Sequence, residues 1–351
     1  MDSRAAFWQR LLYADLPRAK VSRIAESVRP PGEYPQDPEN YFATHPQLSE
    51  SERERVRSTK VEPLERAISF GARLLEAHEY PERLRGRNGL PPAIYFCGDI
   101  ETLAKPCVAI VGTRGATVYG KAAARKFSEA LARAGVTVVS GGALGIDAAA
   151  HEAALEAGGA TVAVLACGID MAYPAVHEGL FKRIREQGGL VSQFACGTMP
   201  MKHTFVARNS VIAALCDGVL VVEAPEDSGS LITANAANDL GRQVFVLPAN
   251  ITSVSFRGSH ALIRSGATLV DHPDQVLSDL GIEPAISRAV VEQAASEQQG
   301  QILGALGGDP MSTEQIAQKT GLEPSALLAE LTMLELEGRV VRAMGGYALK
   351  P

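Results

Sequence analysis

The chain reads as an α/β protein built on a doubly wound parallel sheet. Three observations lead there. From residue 93 onward, short apolar runs rich in Val, Ile and Ala alternate with longer amphipathic ones. That alternation of strand and helix periods is the pattern of a parallel sheet covered on both faces. Glycines (Gly135, Gly158-Gly159 and Gly241) follow the amphipathic runs, where a helix needs a C-terminal cap. Small-residue signatures then follow the apolar runs: Val111-Gly112-Thr113-Arg114, Ser140-Gly141-Gly142-Ala143 and, a little further past its strand, Ser228-Gly229-Ser230.

Taken in order, residues 5–12 and 64–77 read as helices, 49–60 as a charged, solvated helix, and the proline-rich stretch 29–46 as loop. Tyr80-Pro81 and Pro91-Pro92 mark the end of this N-terminal helical part, 1–90. The core, 91–282, carries strand-like runs at 93–96, 108–111, 136–139, 161–165, 189–193, 219–222, 244–247 and 268–270. Helical patterns lie between them at 119–134, 146–157, 176–187, 205–216, 230–240 and 274–280. Residues 283–299, rich in Ala, Glu, Gln and Ser, read as a linker. In 300–351 a helix at 302–306 comes first. Ser312 with Gln315 makes a capping box for a second, and Pro324 opens a third over 325–336. A hairpin around Gly345-Gly346 completes a winged helix-turn-helix.

Composition narrows the function classes. The 351 residues carry a net charge of −6, so a generally basic nucleic-acid coat is excluded and any such binding must be local. Residues 283–351 hold 5 Lys/Arg against 9 Asp/Glu. No apolar run has the length of a membrane span, and the first residues lack a secretory apolar core. Cys97, Cys107, Cys167, Cys196 and Cys216 are dispersed, with no metal-ligand spacing, so a reduced cytoplasm without disulfide, metal or cofactor is expected.

The glycine loops carry the chemistry. Gly112-Thr113-Arg114 fits an anion loop, with backbone N–H groups and the Thr113 hydroxyl around a phosphate and Arg114 paired with it. Its spacing is not a dinucleotide fingerprint, and no nucleotide-binding P-loop occurs. Ser140, Gly141 and Gly142 form a second such loop. Asp147 and His151 follow one helical turn apart; the sequence favours a helix cap and a satisfied core histidine over an acid–imidazole pair. Lys202, His203, Phe205, Arg208 and Asn209 put an aromatic among cations, which suits single-stranded nucleic acid. Phe205 is equally readable as the first core residue of its helix. Ser228, Gly229, Ser230 and Thr233 bring hydroxyls to another helix start. Glu223 is either a catalytic carboxylate or a group that orients arginines.

Together these residues resemble the DNA-processing protein A family (DprA, also called Smf) over about residues 80–280. The shared signatures are Tyr80-Pro81, Gly112-Thr113-Arg114, Ser140-Gly141 with Gly145-Ile146-Asp147 and His151, and Gly168 with Tyr173-Pro174. Phe205 with Arg208-Asn209, Glu223-Ala224, Ser228-Gly229-Ser230 with Thr233-Ala234, Gly241-Arg242, Leu262-Ile263 and Gly266-Ala267 continue the series. The resemblance implies a Rossmann-like core that binds single-stranded DNA, forms a homodimer and loads the recombinase RecA in natural transformation, without being an enzyme. It also allows a single-stranded DNA-binding protein as partner, and makes residues 1–90 comparable in position to the family's small SAM-like helical domain. Arg114, Lys202 and Phe205 map to DNA-contacting positions. The chain departs from the family at Arg208-Asn209-Ser210, where Arg-Asn-Arg is usual, at Pro248-Ala249 for Pro-Gly, and at Gly258-Ser259-His260 for Gly-x-Asn.

The sequence therefore leads to a single-stranded DNA-binding mediator. Arg114, Lys202 and Arg208 would neutralise phosphates, Ser140 or Ser230 complete the cradle, and Phe205 stack a base. The rival is a nucleotide-acting hydrolase of the lysine-decarboxylase-like Rossmann group. That group's Pro-Gly-Gly-x-Gly-Thr loop is replaced here by Ser228-Gly229-Ser230. The tail's third helix carries Glu330, Glu335 and Glu337 without a Lys or Arg, so a duplex-reading role is not expected of it.

Overall fold

The computed structural model describes residues 3–14, 16–28, 34–58, 62–283, 297–306, 310–337, 339–343 and 346–349. Residues 1–282 and 283–351 form two separately compact units.

The first unit opens with helices α1 (Ser3–Tyr13), α2 (Arg18–Ser27), α3 (Pro38–Thr44), α4 (Glu50–Ser58) and α5 (Glu62–Ser69). Phe7, Trp8, Leu11, Ile24, Phe42 and Val56 close into a core of their own. Trp8, almost fully buried, donates its indole N–H to the Tyr34 hydroxyl at 3.1 Å. Helix α3 lies inside the stretch expected to be loop. Asp37 accepts from the Asn40 N–H and Pro38 takes the first helical position, a start signal that the flanking prolines masked.

The helix expected over 64–77 stops at Ser69. Gly71, at φ +85°, turns the chain, and strand β1 (Arg73–Glu76) follows. β1 pairs antiparallel with β2 (Ala93–Gly98), so a sheet strand lies before the boundary expected at residue 90. Glu76 at its end accepts from Arg4 at 2.6 Å and from the Tyr34 hydroxyl, which ties the helices to the sheet.

The alternation then runs as expected: β3 (Cys107–Val111), α6 (Val118–Arg133), β4 (Thr137–Ser140), α7 (Ile146–Glu156), β5 (Thr161–Val164), α8 (Glu178–Gln187) and β6 (Gly189–Ser192). It continues through α9 (Lys202–Leu215), β7 (Gly218–Val221), α10 (Ser230–Asp239), β8 (Gln243–Val246), α11 (Arg257–Arg264), β9 (Thr268–Leu269) and α12 (Pro273–Asp279). Helix α11 is additional to the helices read from periodicity. The strand order is β1-β2-β6-β5-β4-β3-β7-β8-β9. From β6 to β9 every pair is parallel, and β2 joins β6 antiparallel.

Period-two alternation explains the double winding. On β3, Val108 and Ile110 face one core with Ala124, Phe127 and Ala150 of α6 and α7. Cys107, Ala109 and Val111 face the other with Val211, Leu215 and Ala234 of α9 and α10. All five cysteines are free and buried; burial raises the Cys107 thiol to about 12 and the Cys167 thiol to about 11.

In the second unit, α13 (Glu297–Ala305) begins before the expected end of the linker, with Gln299 already buried; residues 284–296 of that linker lie outside the described residues. Helices α14 (Thr313–Thr320) and α15 (Pro324–Leu336) follow. Ser312 and Gln315 form the expected capping box. Strands β10 (Val340–Ala343) and β11 (Gly346–Leu349) make the hairpin; Gly345 lies outside the described residues. Ile302, Ile316, Leu327, Leu331, Val340 and Tyr347 form the core of this winged helix. Glu323, Glu335 and Glu337 are exposed around α15. Among the described residues, no helix is long and apolar enough to cross a membrane.

Candidate nucleic-acid interface

The chain leaves β3 to build β4, β5 and β6 on one side, then returns to β3 and builds β7, β8 and β9 on the other. The loops after β3 and β7 therefore part from each other, and in open α/β sheets ligands bind in the crevice so formed. A cleft of about 600 Å³ lies there. Eleven of the fourteen candidate residues line it: Gly112, Thr113, Arg114, Lys202, Phe205, Arg208, Asn209, Ser228, Gly229, Ser230 and Thr233. Ser140, Gly141 and Gly142 do not, although Gly141 lines a small recess at its side.

The loop after β3 is anchored from below. The Thr113 N–H donates to the Glu223 carbonyl at 2.8 Å. A Cβ on Gly112 would lie 2.5 Å from Ile146 Cγ1 and 2.9 Å from the Glu223 carbonyl oxygen, so the crossing of two loops excludes a side chain there. The Glu223 carboxylate is fully buried. Its Oε2 accepts from the Thr117 N–H at 2.9 Å and from the Thr117 hydroxyl at 2.8 Å, while Thr117 caps α6. Neither role expected of Glu223 applies: it latches a helix start and, among the described residues, meets neither the cleft nor an arginine.

The second glycine loop is structural. Ser140 is buried and donates to the Ile110 carbonyl at 2.6 Å, so its hydroxyl is not offered to a phosphate. The Gly141 and Ala143 N–H groups donate to Asp147 Oδ2 at 3.1 and 3.3 Å. Asp147 thus closes the loop, and Gly145 at φ +82° is the N-cap expected at Asp147. A Cβ on Gly141 would meet Arg208 Nη1 at 2.1 Å, and one on Gly142 would meet Phe181 at 2.5 Å. His151 sits in the core as read, with Nδ1 2.7 Å from the Thr161 hydroxyl; burial lowers its pKa to about 3.

Arg208 is not the solvent-facing phosphate cation expected. It is only 5% exposed. Nη1 donates to the carbonyls of Gly141 and Val164, the latter at 2.8 Å, and Nε donates to Asn209 Oδ1 at 3.0 Å. Asn209 passes the link on, from Nδ2 to the Gly229 carbonyl at 3.0 Å. The Arg-Asn pair on α9 therefore bolts together the ends of β4 and β5 and the loop after β7. Burial lowers the Arg208 pKa against the pull of Asp147, and burial raises that of Asp147 against the pull of Arg208.

What faces solvent is a smaller set. Arg114 is exposed, its guanidinium carbon 4.9 Å from the centre of the Phe205 ring. Phe205 is half-buried, with Arg208 at 5.7 Å and Tyr173 edge-on at 5.9 Å. Both readings of Phe205 thus hold in part: it packs, and it offers a partly open ring. Lys202 is exposed on the first residue of α9, and the start of α10 lines the same cleft. Two helix N-termini facing one cleft favour an anion. The Ser228 and Ser230 hydroxyls bond each other at 2.7 Å; Ser230 and Thr233 are buried, leaving Ser228 and Gly229 nearer the surface.

Tyr173, 44% exposed, completes a small side recess with Leu144, Pro174, Arg114 and Phe205. Sequence reasoning did not place it in the site, although the Tyr173-Pro174 pair stood among the family signatures. Asp227, exposed on the rim, adds a negative charge that no loop signature had signalled.

Comparison with known proteins agrees with this scaffold. The family model described as DNA recombination-mediator protein A matches residues 72–281, and the DprA winged helix domain matches 284–346. The chain belongs to the DprA family. A DprA relative, a putative DNA processing protein from Mycobacterium tuberculosis, is 40% identical over 266 residues, 71% of this chain and 68% of that one. The crystal structure of DprA from Streptococcus pneumoniae superposes with a TM-score of 0.66 at 31% identity, covering 77% of this chain and 95% of that one. DprA from Helicobacter pylori, studied structurally for its single-stranded DNA binding mode, gives 0.54 at 32% identity, covering 60% and 95%. The DprA model begins at residue 72, which takes in β1.

Proposed function

We propose that the chain binds single-stranded DNA in the cleft between the β3 and β7 loops and acts as a non-enzymatic mediator. In this reading it works in the cytoplasm as a homodimer that hands the strand to RecA during natural transformation. Single-stranded DNA-binding protein is a further partner. The observation that carries the DNA reading is the exposed Arg114 stacked on Phe205, beside Lys202 and two helix N-termini. Cations and N–H groups hold phosphates, and the aromatic with its guanidinium offers a platform for a base. The homodimer, RecA and transformation rest on the family.

The hydrolase reading asks for a carboxylate free to act in the cleft. Asp147 is held by two N–H groups, and Glu223 is turned under Thr117. The other acid lining the cleft, Asp227, stands exposed on the rim.

The test is a fluorescence-anisotropy titration with a labelled strand of about 20 nucleotides, competed by duplex of matched length and by free nucleotides. Binding well above duplex, without ATP or metal and weakening with salt, is expected. Equal competition by duplex overturns the proposal.

A further inference from the structure

A second cavity, of about 480 Å³, lies beside α8 and away from the cleft. Leu165, Ile169, Phe181 and Leu190 make it apolar inside. Its mouth repeats the arrangement found at the cleft. The guanidinium carbon of Arg185 stands 5.3 Å from the centre of the Phe70 ring, as Arg114 stands over Phe205. The Arg185 Nη1 donates to the Phe70 carbonyl at 3.5 Å, which keeps the pair in place.

Two cations, Lys182 and Arg185, and two acids, Asp170 and Glu178, line the cavity. Lys182 is exposed and Arg185 half-exposed, against Glu178 on the rim. Asp170 has a counter-charge of its own outside the cavity: its Oδ2 lies 2.5 Å from Arg66 Nε, and its Oδ1 accepts the Gly197 N–H at 3.0 Å. The cavity adjoins the side recess of the cleft along the chain. Ala172 lines it, and the next residue, Tyr173, lines the side recess shared with Arg114 and Phe205.

We propose that this cavity is a second subsite for the same DNA strand, seating a nucleotide beyond the one held in the cleft. The inference rests on the single-stranded DNA reading above. The Phe70–Arg185 stack is the platform for a base, Lys182 and Arg185 meet the phosphate, and Tyr173 lies under the strand as it passes between the two recesses. An apolar floor with a cationic rim suits a nucleotide better than an acidic peptide, whose side chains would gain nothing from the floor.

The experiment compares oligonucleotides of about 5 and about 20 nucleotides on the full chain. Lys182→Glu changes an exposed side chain, and Arg185→Gln removes the stack. Lys126→Glu, an exposed lysine of α6, is the control for a charge reversal elsewhere. Each subsite variant is expected to weaken the longer strand about tenfold, to lower the salt slope by about 0.7 for each phosphate left without its cation, and to leave the short strand unchanged. Wild-type affinity for the longer strand in both variants, equal weakening for both lengths, or a weakening no greater than that of Lys126→Glu overturns the subsite. Failure of the wild-type chain to bind either strand refutes the DNA reading itself, and the subsite with it.

Discussion

Replacing Arg208 separates a structural bolt from a ligand-binding group. In Arg208→Met the Gly141 and Val164 carbonyls lose their donor, Asn209 loses a partner, and the buried Asp147 carboxylate loses its nearest compensating charge. Removing one member of a buried charge pair costs about 3–5 kcal/mol. For a domain of this size each kcal/mol lowers the melting temperature by about 2–4 °C, so the transition should fall by roughly 6–20 °C. The second variant, Arg208→Met with Asp147→Asn, removes the stranded charge and should regain about 1–3 kcal/mol. The assay is a thermal melt followed by circular dichroism on wild type, both singles and the double, with DNA binding measured well below each transition. A single variant that melts like wild type yet loses binding as fully as Arg114→Ala would refute the bolt and restore Arg208 as a phosphate-binding cation.

The remaining expectations are simpler. Arg114→Ala should abolish most binding while changing stability by less than about 0.5 kcal/mol, because the side chain is exposed; Lys202→Ala should weaken binding less and lower the salt slope by about 0.7. A melt shifted by several degrees in Arg114→Ala would show that the residue supports the fold. His151 has a folded pKa of about 3 and an ordinary one of 6.5, so the unfolded chain takes up the proton first as pH falls. Its contribution is complete above about pH 6.5 and is lost toward pH 3, about 2–3 kcal/mol between pH 7 and 4.5. Urea unfolding at the two pH values should show that loss in wild type and a smaller one in His151→Gln; identical losses would contradict the assignment. Gly141→Ala places a methyl group 2.1 Å from Arg208 Nη1 and should cost about 1–3 kcal/mol, read as a lower urea midpoint at unchanged slope.

The parallel sheet was legible because strands buried on both faces must be continuously apolar and the helices between them must be amphipathic. The short strand β1 was not, because Arg73-Leu74-Leu75-Glu76 continues a helical-looking run and only the positive φ of Gly71 separates them. The position of the cleft was legible from loops that follow strands. The division of labour inside it was not. Small residues at Gly112 and Gly141 looked like room for a ligand; they are room for Ile146 and for Arg208. A buried arginine and an exposed one have the same letter, and only the three-dimensional course of α9 turns Arg208 inward while Lys202 stays at its tip. Tyr173 reaches Phe205 across sequence, through loop geometry that no local period encodes.

Trp8 is the only tryptophan of the chain, and it sits in the N-terminal helix cluster, remote in sequence from the cleft. Its emission is therefore a private reporter of those helices. A strand bound in the cleft as proposed would meet no indole there, so intrinsic fluorescence would be a poor titration signal for that binding and a clean one for the helix cluster. Followed beside far-ultraviolet ellipticity, which is weighted toward the whole chain, the same emission measures how firmly Arg4 and Tyr34 fasten the helix cluster to Glu76. Coincident curves mean that cluster and sheet melt as one cooperative body; an earlier shift in emission means that the fastening yields first.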